Sequence, residues 1–412
     1  MSSRTNRPEG KTPSLFRQKD DTVSQIKTLI TVGTRPEIIK MAPVITELRA
    51  RPDQFDVRIL FTAQHRDMLD QMASFFAITS DIDLDLMRAD QQLGELTARM
   101  LSRMHEVLQD EQPDMVLAQG DTTTVMVTAL ACFYLKLPFG HVEAGLRTID
   151  KYNPFPEEIN RRLVAQLADL HFAPTDRDRS ALLAENVPVS SIHVTGNTVV
   201  DAVLDVAQRA IPLPPAVSAA DELVLLTMHR RESFGEKLES VFDAIREIAA
   251  RRPQANIVYP VHPNPNVRRT AHRMLADQKN IQLLDPVPYG EFVALMKHAT
   301  LILTDSGGIQ EEAPSLKVPV LVLRDVTERT QAVESGLARL VGTDRRAIVA
   351  NALELLNDDA ARSKMTDVPN PFGDGRAAQR IADVIAGFSA PEGGSTSVQR
   401  STSEAVGRTS RA

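Results

Sequence analysis

The 412-residue sequence predicts an α/β protein of two domains, each a parallel sheet with helices on both faces. Three observations carry this. Short β-branched runs ending in Gly, Asp, His or Glu alternate with amphipathic stretches of roughly a dozen residues, the rhythm of strand–helix–strand units. Aromatic residues make up only 4% of the chain and Trp is missing, while hydrophobic residues reach 42%. The cores must therefore be aliphatic, as buried parallel strands require. Finally, residues 210–221 (AIPLPPAVSAAD) hold Pro212, Pro214 and Pro215 and no apolar period, which marks a linker between two halves of similar design.

In the first half the pattern places strands at 26–32, 57–62, 114–119, 139–143, 170–173 and 191–195. In the second it places them at 223–228, 256–261, 281–284, 301–304, 319–323 and 339–341. Expected domains are 26–205 and 206–373, followed after the Pro369–Pro371 break by one last amphipathic helix at 374–388. Residues 1–25 and 390–412 are polar and aperiodic and read as disordered tails. A formal net charge of −7 speaks against a general nucleic-acid binder. No stretch reaches the apolar length of a membrane span. The single cysteine, Cys132, cannot form an internal disulfide and fits a reducing cytoplasm.

In parallel sheets, ligands sit beyond the C-terminal ends of the strands, so the strand-to-helix loops hold the candidates. Gly33-Thr34-Arg35-Pro36-Glu37 follows the first strand; Gly33 permits a sharp turn, and Arg35 and Lys40 stand near a helix start where phosphate binds well. The same residues could form a plain capped helix. Asp121, in Gly120-Asp121-Thr122, is either a helix cap or a carboxylate aimed into a cleft. His141 and Glu143 alternate on one strand and should face one side; Arg147 could neutralise Glu143. Glu157 and Arg161 are spaced for an ordinary helical salt bridge, yet the aromatic, proline-rich segment 150–155 before them looks like a loop that shapes a site.

In the second half, His229 beside Arg230 and Arg231 suits a diphosphate, and His262 ends another strand. The strongest segment is Asp305-Ser306-Gly307-Gly308, whose hydroxyl and bare backbone N–H groups open a helix as a phosphate cradle. Glu312 follows one turn later, in reach of ribose hydroxyls, and Arg329 completes the charge balance. The chain has no G-x-G-x-x-G and no G-x-x-x-x-G-K-[ST], so a Rossmann nicotinamide site and a P-loop are unsupported. Its nine His residues lack metal-ligand spacing. No metal or other cofactor is expected.

The motifs GTRPEIIKMAPV, GDTTT, HVEAGLRT, PFPEEINR, VTGNTVVDAV, HRRES, YPVHPNPNV and LTDSGGIQEEAPSL, in this order, resemble the non-hydrolysing UDP-N-acetylglucosamine 2-epimerases from about Lys27 to Phe388. The resemblance implies a GT-B fold, two Rossmann-like domains whose parallel sheets face a central cleft, with the last helix crossing back to the first domain. It implies a homodimer that interconverts UDP-GlcNAc and UDP-ManNAc for surface polysaccharide precursors. Arg35, Lys40, His229, Ser306, Gly307, Gly308, Glu312 and Arg329 match the family's UDP-sugar contacts, with Arg161 beside them, and Phe292 matches an aromatic near the uracil. Asp121, Glu143 and Glu157 match its acid/base carboxylates, with His229 joining the catalytic set. His65, Arg66 and His262 lie in segments tied to activation by a second UDP-GlcNAc.

Two departures stand out. The family's TERPE reads Thr327-Glu328-Arg329-Thr330-Gln331 here, which removes a proline restraint beside Arg329, and HRREN ends in Ser233. Relatives acting on UDP-2,3-diacetamido-uronic acids, a hydrolysing 2-epimerase and a GT-B glycosyltransferase are the alternative readings.

Overall fold

A computed structural model describes residues 25–62, 66–87, 91–148, 150–217, 222–230 and 233–388. Residues 1–24 of the first expected tail, all of the second, His65 and part of the 210–221 linker lie outside these residues.

The first lobe begins with β1 (Ile26–Val32), α1 (Arg35–Arg49), β2 (Phe55–Phe61), α2 (Arg66–Phe75), β3 (Ile82–Asp83), α3 (Leu93–Glu111) and β4 (Met115–Gln119). It continues with α4 (Thr123–Leu135), β5 (Phe139–Val142), α5 (Glu157–Leu167), β6 (Leu170–Ala173), α6 (Asp176–Ala184), β7 (Ile192–Val194) and α7 (Thr198–Gln208). The second lobe contains β8 (Leu223–Thr227), α8 (Glu236–Arg251), β9 (Asn256–Pro260), α9 (Pro265–Leu275), β10 (Ile281–Leu284), α10 (Tyr289–His298) and β11 (Leu301–Thr304). Then follow α11 (Gly307–Glu312), β12 (Val320–Val322), α12 (Thr330–Glu334), β13 (Ala338–Leu340), α13 (Arg345–Asn357), α14 (Asp359–Thr366) and α15 (Ala377–Ala386).

The strands form a seven-stranded sheet in the order β3-β2-β1-β4-β5-β6-β7 and a six-stranded sheet in the order β10-β9-β8-β11-β12-β13. Every described pair is parallel. This is the GT-B arrangement. The two-residue strand β3 was not legible in the sequence, being too short to show a period.

Side chains that alternate along each strand feed different cores. From β1, Leu29 joins a cluster with Met100, Met104 and Leu108 of α3, while Ile30 and Val32 join another with Ile38, Met41 and Ile45 of α1. In the second sheet, Val224 and Leu226 pack toward α8 and α13, while Leu223 and Leu225 turn the other way. That second set belongs to the same cluster as Ile30 and Val32, so one continuous core runs through both lobes. Helix α7 carries the junction: it packs on α1 and α15 on one side and on α10 and α11 on the other.

Helix α15 folds back onto α1 and α7. Ile381 and Ala382 are fully buried there, and the buried Asp201 of α7 accepts a 2.8 Å hydrogen bond from the Ala378 backbone N–H. No helix among the described residues is long and apolar enough to cross a membrane. Because Ile381 lies in the shared core, Ile381→Ala should cost about 3 kcal/mol through lost burial and a residual cavity. Urea unfolding reads this as a lower midpoint; an unchanged midpoint would mean that α15 adds nothing to stability.

Candidate active site

In sheets of this kind the ligand crevice opens where the strand order reverses. The first sheet reverses between β1 and β4, and the second between β8 and β11. The loops at these points are Gly33–Thr34, Gly120–Thr122, Met228–Arg230 and Asp305–Ser306, the segments richest in candidates.

Glu37 organises the first-lobe loops. Its buried carboxylate accepts the backbone N–H groups of Gly33 at 2.5 Å and Thr34 at 3.0 Å, the acidic half of a capping box at the start of α1. It also accepts the Thr122 hydroxyl at 2.5 Å, which joins the loops after β1 and β4. Gly33 is required here, since a Cβ would stand 2.4 Å from Thr124 Oγ1 and 2.6 Å from Thr62 Oγ1. Burial raises the Glu37 carboxyl to about 7, against the lowering effect of its hydrogen bonds.

Asp121 is paired with Arg161 at 2.6 Å, and its backbone carbonyl accepts the Asn160 side-chain amide at 2.8 Å. The expected Glu157–Arg161 salt bridge is replaced: Arg161 binds Asp121 and, at 3.2 Å, Glu158. Glu158 is fully buried and also accepts the Thr148 N–H at 3.0 Å, so it is the structural acid of this helix. Glu157 takes no part in this ion-pair network. Its Oε2 is buried with no hydrogen-bond partner among the described residues, beside a cavity of about 420 Å³ that Thr34, Gln91, Thr122 and Asn160 also line.

Glu143 does not continue β5. It follows the strand with φ of +63°, an uncommon left-handed conformation for a side chain of this size, so the alternation expected with His141 is broken. His141 turns inward and bonds the Gly120 carbonyl at 2.7 Å. Arg147 does not neutralise Glu143; it pairs with Glu185 at 2.7 Å. Lys40 does so instead, at 2.5 Å from Glu143 Oε1, with Asn197 donating to the same oxygen at 3.0 Å and Gln119 to the other. Burial pushes the Glu143 carboxyl up, but Lys40, Arg329 and Asn197 together hold it below the usual range.

The second lobe contributes Glu311 to this group. Its carboxylate accepts Arg329 Nε at 2.7 Å and lies 4.0 Å from Lys40 Nζ. Neither Glu311 nor Asn197 stood out in the sequence. Consecutive helical positions point about 100° apart, so an acid next to Glu312 gave no sign of facing the other lobe, and Asn197 is the N-cap of α7, a place where Asn is ordinary.

Around the second switch point, His229 Nδ1 lies 3.1 Å from Asp305, whose buried carboxylate also accepts the His229 and Arg230 backbone N–H groups at 2.9 and 2.8 Å. These bonds fix the imidazole and leave Nε2 for another partner. The exposed His262 ring stacks on His229 with centroids 5.9 Å apart. Ser306 precedes α11, and Arg230 and Arg329 approach within 4 Å of where a Gly307 side chain would begin. Gly308 adds a second side-chain-free residue to that turn. Glu312 is buried under Tyr289, whose hydroxyl donates to it at 3.4 Å; burial and then Glu311 raise its carboxyl to about 7, while Lys40 and Arg35 lower it. Phe292 stands one turn after Tyr289 on α10, half-buried against the shared core. His65 and the side chain of Arg66 lie outside the described residues.

The residues that depart from TERPE tie the lobes together. Thr330 accepts a hydrogen bond from Arg177, and Gln331 donates to Thr175 Oγ1 at 2.7 Å. Hydrogen bonds to the first lobe thus restrain the segment where the family proline would.

The fold and these loops define a two-lobed parallel α/β protein with acids on one switch point and a cation-rich helix start on the other. The family profile described as UDP-N-acetylglucosamine 2-epimerase matches residues 46–386. UDP-N-acetylglucosamine 2-epimerase of Yersinia pestis is 51% identical over 370 residues, covering 87% of this chain and 98% of its own. That of Escherichia coli K12 is 49% identical, with the same coverage. Among solved structures, Neisseria meningitidis UDP-GlcNAc 2-epimerase bound to UDP-GlcNAc aligns with a TM-score of 0.79 at 43% identity, covering 88% of this chain and all of that one. Staphylococcus aureus MnaA with UDP aligns at 0.78 and 44%, covering 88% and 96%. This chain belongs to the UDP-N-acetylglucosamine 2-epimerase family.

Glu37 generates a pH prediction. Its folded value of about 7 exceeds the ordinary 4.5, so the folded state holds the proton more tightly than the unfolded chain does. The resulting stability is fully present below about pH 4.5 and is lost as the pH rises to about 7. Glu37→Gln should remove that loss, changing the stability difference from wild type by about 3 kcal/mol across the window. Urea unfolding at half-unit pH steps checks it; a constant difference would show that burial does not control this carboxyl.

Proposed function

We propose that the protein interconverts UDP-GlcNAc and UDP-ManNAc by eliminating and re-adding UDP. The observation that carries this is the division of chemistry between the lobes: Asp121, Glu143 and Glu157 stand on the first, and Arg329, His229 and the Ser306–Gly308 turn on the second. Solved relatives bound to UDP-GlcNAc and to UDP support the choice of ligand.

The C2 hydrogen is weakly acidic because its neighbour C1 is an acetal carbon. A carboxylate removes it as a proton while the C1–oxygen bond breaks and its electron pair leaves with UDP. The C–H pair becomes the C1–C2 double bond of 2-acetamidoglucal. UDP then adds back at C1, and a second acid delivers a proton to the opposite face of C2. Two groups on opposite faces are needed, and three carboxylates are available. Glu157, whose Oε2 is unpartnered beside the cavity, and Glu143, held by Lys40, differ in their partners and are the two carboxylates assigned to the two faces. Arg35, Lys40, Arg329 and His229 would stabilise charge on departing UDP. General acid–base help of this kind typically supplies roughly 10²–10⁴-fold. The non-hydrolysing outcome follows if UDP, not water, traps the glucal. The product suits the assembly of surface polysaccharides.

Exposed apolar side chains on neighbouring helices, Phe133 and Tyr134 of α4 with Ile159 and Leu163 of α5, support a homodimer formed on this face. Leu163→Glu should therefore shift the protein toward monomer in sedimentation velocity, whereas an unchanged coefficient would remove this face from the interface.

The reaction is tested by incubating the protein with UDP-GlcNAc alone in D₂O, without added nicotinamide or metal. UDP-ManNAc carrying deuterium at C2 is expected. Free ManNAc would indicate hydrolysis, no change a transferase or a binding protein, and full retention of C2 protium would overturn the elimination.

A further inference from the structure

We infer that Glu311 is a positioning residue for the proposed epimerisation: a fixed counter-ion from the second lobe that keeps Lys40 and Arg329 paired while Glu143 gains and loses a proton. The inference rests on the reading of Glu143 as an acid/base group.

The geometry is that of two carboxylates sharing one set of donors. Glu143 Oε1 is 2.5 Å from Lys40 Nζ and 3.0 Å from Asn197 Nδ2. Glu311 Oε2 is 4.0 Å from the same Nζ and 3.3 Å from the same Nδ2. Its other oxygen holds Arg329 at 2.7 Å, and its backbone carbonyl accepts Asn370 Nδ2 at 3.2 Å. Glu311 is thus anchored by side chain and main chain, and its side chain is 4% exposed. It is buried too deeply for an ordinary surface acid and lies on no expected contact with the sugar.

Charge explains the arrangement. Glu143 and Glu311 balance Lys40 and Arg329 one for one. When Glu143 takes up a proton it ceases to offset Lys40. A buried ammonium without a counter-charge is costly, as the breaking of buried ion pairs shows. Glu311 already lies beside that ammonium and shares its Asn197 donor, so Lys40 can remain paired while Glu143 is neutral. Other charged groups facing this cluster are Asp178 of α6, which burial raises to about 6 against its Thr175 hydrogen bond, Glu312 on the same helix as Glu311, and Glu328 beside Arg329, which is paired with Arg324 at 2.9 Å. None of the three is hydrogen-bonded to Lys40 or Arg329 among the described residues, so none takes the place of Glu311.

The test compares wild type with Glu311→Gln, which keeps the shape and removes the charge. With two cations left to act on it, Glu143 should keep its charge to lower pH. The acid limb of the kcat profile should move down by about one pH unit, and the plateau should fall roughly 10- to 100-fold. UDP affinity, read by calorimetry, should be unchanged or tighter because Arg329 is released. Glu311→Asp retains the charge and should keep the wild-type acid limb. If Glu311→Gln does not fold, a shifted limb in Glu311→Asp overturns the inference by itself. An unshifted profile in Glu311→Gln, or a pH-independent loss with proportionally weaker UDP binding, also overturns it and leaves a packing or nucleotide contact. Wild-type protein that leaves UDP-GlcNAc unchanged would instead defeat the epimerase reading, and this inference with it.

Discussion

Parallel strand alignment is the constraint on which the rest depends. Since every described strand pair runs the same way, every strand-to-helix loop of a sheet leaves from one edge. Each sheet reverses its order once beside its first strand, and the chemistry-bearing loops emerge at those reversals. A continuous core, crossed by α7 and closed by α15, then sets one edge against the other. The site is a consequence of two sheets sharing one core, and its precision depends on that apolar contact.

Electrostatics refine what the core brings together. Buried carboxylates are tolerated where each has donors, and the cleft shows three different solutions. Glu37 is satisfied locally by two backbone N–H groups and a threonine, yet remains dominated by burial. Glu143 relies on the cation Lys40 from α1 and on Asn197 at the start of α7. Asp305 uses the His229 ring and two N–H groups, which hold its carboxyl below the usual range despite burial. Similar side chains thus acquire different proton affinities, the condition for separate acid and base roles in one pocket.

The lobes are also joined by neutral hydrogen bonds. At the position where the resembled motif TERPE has its proline, Thr330 and the following Gln331 reach Arg177 and Thr175 of the other lobe. A backbone restraint is replaced by contacts that exist only when the lobes are together, so the hold on Arg329 becomes part of the interlobe geometry.

Much of this was legible in the residues. Short β-branched apolar runs located twelve of the strands to within a residue or two, because strands covered on both faces are apolar along their whole length. Glycines, caps and strand-end acids marked the loops, because sharp turns and helix starts demand those side chains. Three charge pairings were not legible. Arg161 chose Asp121 over Glu157, Arg147 chose Glu185 over Glu143, and Glu311 proved to face Lys40. Sequence determines which charges exist and which local element carries each one. Their pairing depends on distances between segments up to hundreds of residues apart, and on a left-handed turn at Glu143 that no period predicts. A charge pairs with whatever partner packing brings within a few ångströms, and only the tertiary structure decides that.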